Sequence, residues 1–193
     1  MATSEYAAAL RLTQRLLELD PHNPDTYNLW GEAYEFAGDF DRAAATYREG
    51  LRIDPINPLL NMTLGRLQRK LGNEREAIGA LQTAMTYMPR DSTGLSSLAY
   101  SLWLAGRPAE AAELASEWQE RFGDDPFTWK GGRVWNYLAL DRVDEAFAEL
   151  QNAVETRYPW GFGMILIKVN FWGDPVLERP EFVELRRQLG FGG

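Results

Sequence analysis

The sequence predicts an all-α protein, a solenoid of antiparallel helix pairs, and three recurrences carry that prediction. Ala9, Ala43, Ala77 and Ala111 follow one another in steps of 34, and Ala146 comes 35 later. Gly38, Gly72 and Gly106 keep the same step, as do Gly31, Gly65 and Ala99. Pro21, Pro55 and Pro89 share it too, with Pro126 and Pro159 following at 37 and 33. Independent series with one period point to a repeated supersecondary unit.

Each series has a physical job. Gly31, Gly65 and Ala99 fall mid-helix, where glycine costs about 1 kcal/mol relative to alanine. Such a residue is tolerable where a neighbouring helix must come close. Gly38, Gly72 and Gly106 stand where the first helix of each pair should end, and glycine reaches the left-handed cap conformation without strain. Ala43 and its equivalents lie early in the second helix, where a small side chain lets it pack on the first. The prolines follow the second helix and prevent its continuation. Between these markers apolar residues recur at three and four, as in Leu29, Trp30, Ala33, Tyr34 and Ala37. Trp30 occupies a packing position and is expected in the core.

This pattern resembles the tetratricopeptide repeat (TPR). The first full repeat matches at Tyr27, Trp30, Gly31, Tyr34, Gly38, Ala43, Tyr47 and Pro55. The second matches at Leu64, Gly65, Gly72, Ala77, Leu81, Ala84 and Pro89. The third matches at Leu95, Leu98, Ala99, Leu102, Gly106 and Ala111 and has a second helix lengthened through Trp118. The fourth keeps Tyr137, Ala146, Leu150 and Ala153, but Val134 replaces the small crossing residue and Asp141 the cap glycine. The resemblance covers about residues 5 to 159 and implies a right-handed TPR superhelix, read as a single domain over 1–193. Its parts are a lone N-terminal helix (5–22), repeats at 24–57, 58–91, 92–126 and 127–159, and a C-terminal degenerate repeat or cap (160–193).

The two ends depart from the period. Residues 5–20 read as a second helix whose own first helix is missing, with Ala9, Leu12, Leu16 and Leu17 on or near one face. That face is left for the rest of a longer protein, for another subunit, or is an atypical cap. In the last segment, Gly161 to Asn170 is expected as a helix, Phe171-Trp172-Gly173-Asp174-Pro175 as a turn, and Glu181 to Leu189 as a short helix. The run from Asp174-Pro175 through Arg179-Pro180-Glu181-Phe182 to Phe191 is similar to the closing segment of bacterial TPR arrays, which are often fused to transcription regulators, nucleotide cyclases or kinases. The resemblance therefore implies a regulatory parent.

Composition narrows the function classes. The 193 residues carry 20 Lys and Arg against 28 Asp and Glu, a formal charge of -8. A surface that grips a phosphate backbone is basic, so no direct nucleic-acid partner is expected. With no cysteine, disulfides and thiol catalysis are excluded, and a reducing, cytoplasmic setting is expected. The Met1-Ala2-Thr3-Ser4-Glu5 start lacks the basic and apolar stretches of a secretory signal. The apolar run Met164-Ile165-Leu166-Ile167 is too short to span a bilayer, so no membrane partner is expected.

No enzymatic activity is expected either. His22 stands alone in an Asp-Pro-His-Asn-Pro linker, without companions for a metal site. The acid pairs Asp39/Asp41 and Asp124/Asp125 sit in turns and helix starts, where carboxylates favour the positive helix end. Lys130-Gly131-Gly132-Arg133 and Gly161-Phe162-Gly163 lack phosphate-loop spacing. Asn61-Met62-Thr63 matches a glycosylation acceptor in form only. Neither cofactor nor metal is expected.

The resemblance implies that the first helices line a concave groove. Mapping the family's groove positions gives Asp25, Asn28, Glu32, Glu35 and Phe36, then Leu59, Met62, Arg66, Arg69 and Lys70. The later rows are Thr93, Ser96, Tyr100, Trp103 and Leu104, then Thr128, Gly131, Trp135, Leu138 and Ala139. The chaperone-tail clamp of some TPR proteins is not reproduced, because Asn28 and Glu32 occupy its Lys and Asn positions. Arg66, Arg69 and Lys70, with Tyr100, Trp103 and Trp135, suit a protein or peptide ligand that offers an acidic group and an apolar anchor. A protein-binding scaffold is the leading expectation. A ligand- or peptide-sensing module of a bacterial regulator and a structural oligomerisation module, self-associating through the N-terminal helix, remain the alternatives.

Overall fold

Asparagine, aspartate and proline open several helices of this chain, and a left-handed residue follows the first helix of each of the four pairs. The computed structural model describes residues 2–88, 92–124, 130–155 and 179–188. The described residues form ten α-helices: α1 (Ala2–Leu19), α2 (Pro24–Phe36), α3 (Phe40–Ile53), α4 (Pro58–Lys70), α5 (Glu74–Tyr87), α6 (Ser92–Leu104), α7 (Pro108–Phe122), α8 (Lys130–Ala139), α9 (Val143–Glu155) and α10 (Pro180–Gln188). The first helices α2, α4 and α6 begin 34 residues apart, as do the second helices α3, α5 and α7, and α9 begins 35 after α7. The fold is all-α, as the sequence predicts.

Local chemistry explains the boundaries. Asn23 accepts the Asp25 amide at 3.0 Å before Pro24 opens α2. Asp39 accepts the Arg42 amide at 3.2 Å to cap α3, and Asn57 accepts the Leu60 amide at 3.0 Å to cap α4. Gly38, Gly72 and Gly106 take φ of 81°, 75° and 72°, the left-handed stops expected from their spacing. The fourth pair keeps that stop without glycine, since Asp141 adopts φ 58°. The Asp141 amide bonds the Leu138 carbonyl at 3.0 Å and the Arg142 amide bonds that of Tyr137 at 2.8 Å. The same two bonds close the turns at Gly38 and Gly106. Aspartate tolerates this conformation better than most residues with a side chain, so losing the glycine does not lose the turn.

The chain divides into two compact units, Met1–Arg69 with Glu76–Pro89, and Lys70–Arg75 with Arg90–Gly193. In the first unit, Ala43, Tyr47, Leu60 and Leu67 are fully buried in one cluster that also takes in Ala44 and Leu64. The crossing glycines do what their spacing predicts. A Cβ on Gly31 would fall inside the Tyr47 ring, and one on Gly65 would lie 2.7 Å from Leu81 Cγ. Tyr47 and Leu81 are themselves 34 apart, so glycine and its large partner repeat in register. Gly50 is a third close approach, with Leu60 Cδ1 at 2.7 Å and Tyr27 Cβ at 2.8 Å from a built Cβ. Trp30, expected in the core, is half-buried between Tyr27 and Tyr34, at ring separations of 6.4 and 5.8 Å. The leucines at the matching positions, Leu64 and Leu98, are buried; an indole is larger and amphipathic, so its edge extends past the packed face.

In the second unit, Val134, Trp135, Leu138, Ala146, Leu150 and Phe182 form the core with Tyr100. Val134 is fully buried there although the matching residue is glycine in the first two repeats. α10 joins through Phe182, which meets Phe147 edge-on at 5.5 Å. It spans Pro180–Gln188 where Glu181 to Leu189 was expected. The helix expected at 161–170, the turn at 171–175, Pro89, Pro126, Pro159 and Phe191 lie outside the described residues. Among the described residues no helix is long and apolar enough to cross a membrane.

Candidate first-helix recognition faces

On the first unit, a polar network runs along α2 and reaches α3 and α4. Asn28 donates its amide to Glu32 Oε1 at 3.2 Å, and Thr63 Oγ1 lies 2.9 Å from Asn28 Oδ1. Asn28 is therefore buried, at 4% exposure, and links α2 to α4 where groove exposure was expected. Tyr47 donates its hydroxyl to Glu35 Oε2 at 3.1 Å. Glu32 and Glu35 are half-buried.

The electrostatics follow from that burial. Desolvation raises the Glu32 carboxyl above its ordinary value, the Asn28 hydrogen bond and the positive charge of Arg66 pull it back, and Glu35 raises it further. Burial likewise holds the Tyr47 phenol far above its usual range, reinforced by the Glu35 and Glu32 charges. Tyr47 thus stays a neutral donor, and Arg66 faces an acid that is costly to ionise.

This gives a pH-dependent prediction. A carboxyl whose folded pKa is raised disfavours the fold when ionised, so its cost is present at neutral pH and disappears below about 4.5, where both states hold the proton. Glu32→Gln keeps an acceptor for Asn28 and removes that charge. It is expected to raise the melting temperature at pH 7 and to leave it nearly unchanged at about pH 4, as read by thermal denaturation at both values. A larger gain in acid than at neutral pH would contradict the assignment.

The six residues picked from sequence are placed unequally. In the first unit, Arg66 is half-buried and Arg69 is buried at 6% exposure. In the second, Lys70 and Trp103 are half-buried while Tyr100 and Trp135 are fully buried. Tyr100 and Trp103 stack with ring centroids 5.9 Å apart and planes 17° from parallel. Tyr100 and Trp135 belong to one core cluster, against which Trp103 packs. The side chains with surface to offer are thus Arg66, Lys70 and Trp103. Of the other mapped positions, Met62, Ser96, Leu138 and Ala139 are buried, whereas Phe36 and Leu59 are exposed. Thr128 lies outside the described residues.

Residues that the spacing did not single out also matter. Thr63 supplies the hydroxyl beside Asn28, a role signalled only by a polar residue on an otherwise apolar helix face. Asn136 is fully buried, and neither end of its amide has a hydrogen-bond partner among the described residues. Such a group lowers stability. Among the described residues no group of three or more His, Asp or Glu side chains is gathered as a metal site would need.

Comparison with known proteins decides the family. Models of the tetratricopeptide repeat match residues 1–55 and 62–126. The chain carries tetratricopeptide repeats. The TPR repeat-containing protein YpiA of Bacillus subtilis (strain 168) is 26% identical over 139 residues, 72% of this chain and 32% of YpiA. The chain thus spans about a third of the length of that relative. Among solved structures, TTC0263, a thermophilic TPR protein in Thermus thermophilus, superposes with a TM-score of 0.61 at 19% identity, over 85% of this chain and 89% of that one. YrrB, a TPR protein with an unusual peptide-binding site, superposes with a TM-score of 0.56 at 20% identity, over 84% and 83%. At these identities the likeness is one of fold, and it agrees with the paired TPR helices seen here.

Proposed function

We propose that this chain is a non-enzymatic scaffold that binds a protein or peptide on the faces of its first helices. The observation that carries the reading is accessible recognition chemistry on a TPR framework. Arg66 on α4 offers a forked cation, and Trp103 on α6 offers an indole held flat by the buried Tyr100 beneath it. Lys70 adds a second cation at the end of α4. Arg69, Tyr100 and Trp135 act as supports, since their burial fixes the helices that carry the contact residues. The fold of YrrB, a TPR protein described by its peptide-binding site, supports this class of activity. On the first unit Arg66 suits an acidic group of a ligand, and on the second Lys70 suits an acidic group and Trp103 an apolar side chain.

Selection from a random peptide library displayed on phage tests this reading directly. Selected peptides are expected to be enriched in Asp or Glu, in large apolar residues, or in both; Arg66→Glu is expected to weaken those selected for the acid and Trp103→Ala those selected for the apolar residue, each by about tenfold or more. No enrichment, or a consensus whose affinity neither substitution changes, would contradict it.

A further inference from the structure

Helical register sets an acid beside the cation proposed for ligand binding on the first unit. Glu32 and Arg66 are 34 residues apart, so they hold the same position on the first helices α2 and α4. One turn before them, Thr63 Oγ1 and Asn28 Oδ1 lie 2.9 Å apart and tie the two helices together. Glu32 follows Asn28 by four residues and Arg66 follows Thr63 by three, spacings that stack side chains along one helix face. The tie at one level thus brings acid and cation together at the next, and the charge of Arg66 is felt at both Glu32 and Tyr47.

The acid is held in place. Asn28, 4% exposed, donates to Glu32 Oε1 at 3.2 Å. Around it, Glu35 of α2 accepts the Tyr47 hydroxyl of α3 at 3.1 Å. Arg69 of α4, one turn beyond Arg66, is buried, and Arg11, Arg15 and Glu18 of α1 are exposed. A ligand carboxylate brought to Arg66 is therefore brought to Glu32 as well. Two carboxylates that share a site do not both ionise readily, so one of them keeps a proton. Glu32 is the one suited to keep it, being half-buried where a ligand's acid arrives from water. Its Oε1 can still accept from Asn28 while Oε2 carries the proton.

We infer that Glu32 determines specificity at the Arg66 site: it takes one proton from solvent when a ligand carboxylate binds, and donates it as a hydrogen bond to the anion it would otherwise repel. This rests on the reading of Arg66 as the receptor for an acidic group. The sign follows from linkage. Binding raises the pKa of Glu32, so affinity is full where the free chain already holds the proton and is lost as pH rises through the value in the complex. The free value already stands above the ordinary 4.5, so the loss falls on the neutral side of it, where an Asp or Glu of the ligand stays ionised.

The probe is a histidine-free peptide, selected by phage display, whose binding to the full chain is weakened by Arg66→Glu. Its affinity is expected to fall between about pH 5.5 and about pH 8, by at most about tenfold per pH unit. Calorimetry in two buffers of different protonation enthalpy should report net proton uptake on binding. Glu32→Gln keeps an acceptor for Asn28 and a donor for the ligand. It should bind about fivefold or more tighter at the upper pH and lose both the slope and the proton uptake. Glu35→Gln should keep both. A merely structural role for Glu32 would change affinity without changing its slope with pH. An Arg66-dependent peptide with no slope in the wild type, or with a slope that survives Glu32→Gln, overturns the inference and leaves the reading of Arg66 standing. A chain that selects no Arg66-dependent peptide overturns that reading and the inference with it.

Discussion

Replacing Trp118 with alanine is expected to destabilise the second unit by about 3–5 kcal/mol, the range for deleting a large buried aromatic. Trp118 is 1% exposed, donates its indole N–H to the Ser92 carbonyl at 2.7 Å, and lies against Phe122 with ring centroids 6.1 Å apart. Deleting it removes the packing of α7 and the only donor that the indole offers to the first residue of α6. Trp118→Phe keeps most of the apolar area and loses the hydrogen bond, so it should cost about 1–2 kcal/mol. Urea denaturation with hydrogen exchange on the α6 and α7 amides separates the cases. If the alanine variant lost less than about 1 kcal/mol, the indole would not be holding this pair together.

Gly31→Ala is expected to cost about 1–3 kcal/mol by overpacking. Its methyl would overlap the ring of Tyr47, which is fully buried and tied by its hydroxyl to Glu35. The ring cannot swing aside without breaking that bond and opening the core of the first unit. The third repeat shows the alternative solution, since Ala99 and Ala115 occupy the matching positions and both are fully buried. Tyr47→Ala in the Gly31→Ala background recreates that pair. The double variant is expected to lose clearly less than the sum of the two single losses, as contacting residues should. Additive losses in denaturant midpoints would show that the two side chains do not share the space.

Most of the fold was legible because a repeat shows its constraints several times over. Glycine at Gly31 and Gly65 reveals a helix crossing without reference to its partner, and glycine at Gly38, Gly72 and Gly106 reveals a left-handed turn. Size compensation was harder to see. The position that holds Gly50 in the first repeat holds Ala84 in the second and Trp118 in the third. A built Cβ at Gly50 is crowded by Leu60 and Tyr27, yet an indole is buried 68 residues later. Only the local separation of helices explains both, and that separation is a sum of many side-chain volumes.

The candidate faces were legible in outline for the same reason. Helical register places a residue on a face, but burial depends on what the neighbouring helix brings. Tyr100 and Trp135 share a face with Trp103 in the repeat register, and both are buried in the core that includes Leu138 and Phe182. Phe182 comes from α10, beyond the regular repeats, where the period carries no information. Asn28 was read as a groove residue, and Thr63, 35 positions away, sits beside its amide.

In the proposed function, first helices rather than second helices carry recognition. Hydrogen–deuterium exchange of the full chain, with and without a peptide selected by phage display, tests that most directly. Slowed exchange is expected in a first helix, in α4 around Arg66 or in α6 around Trp103, with α3, α5 and α7 unchanged. Protection confined to the second helices would place recognition on those helices and contradict the proposed function.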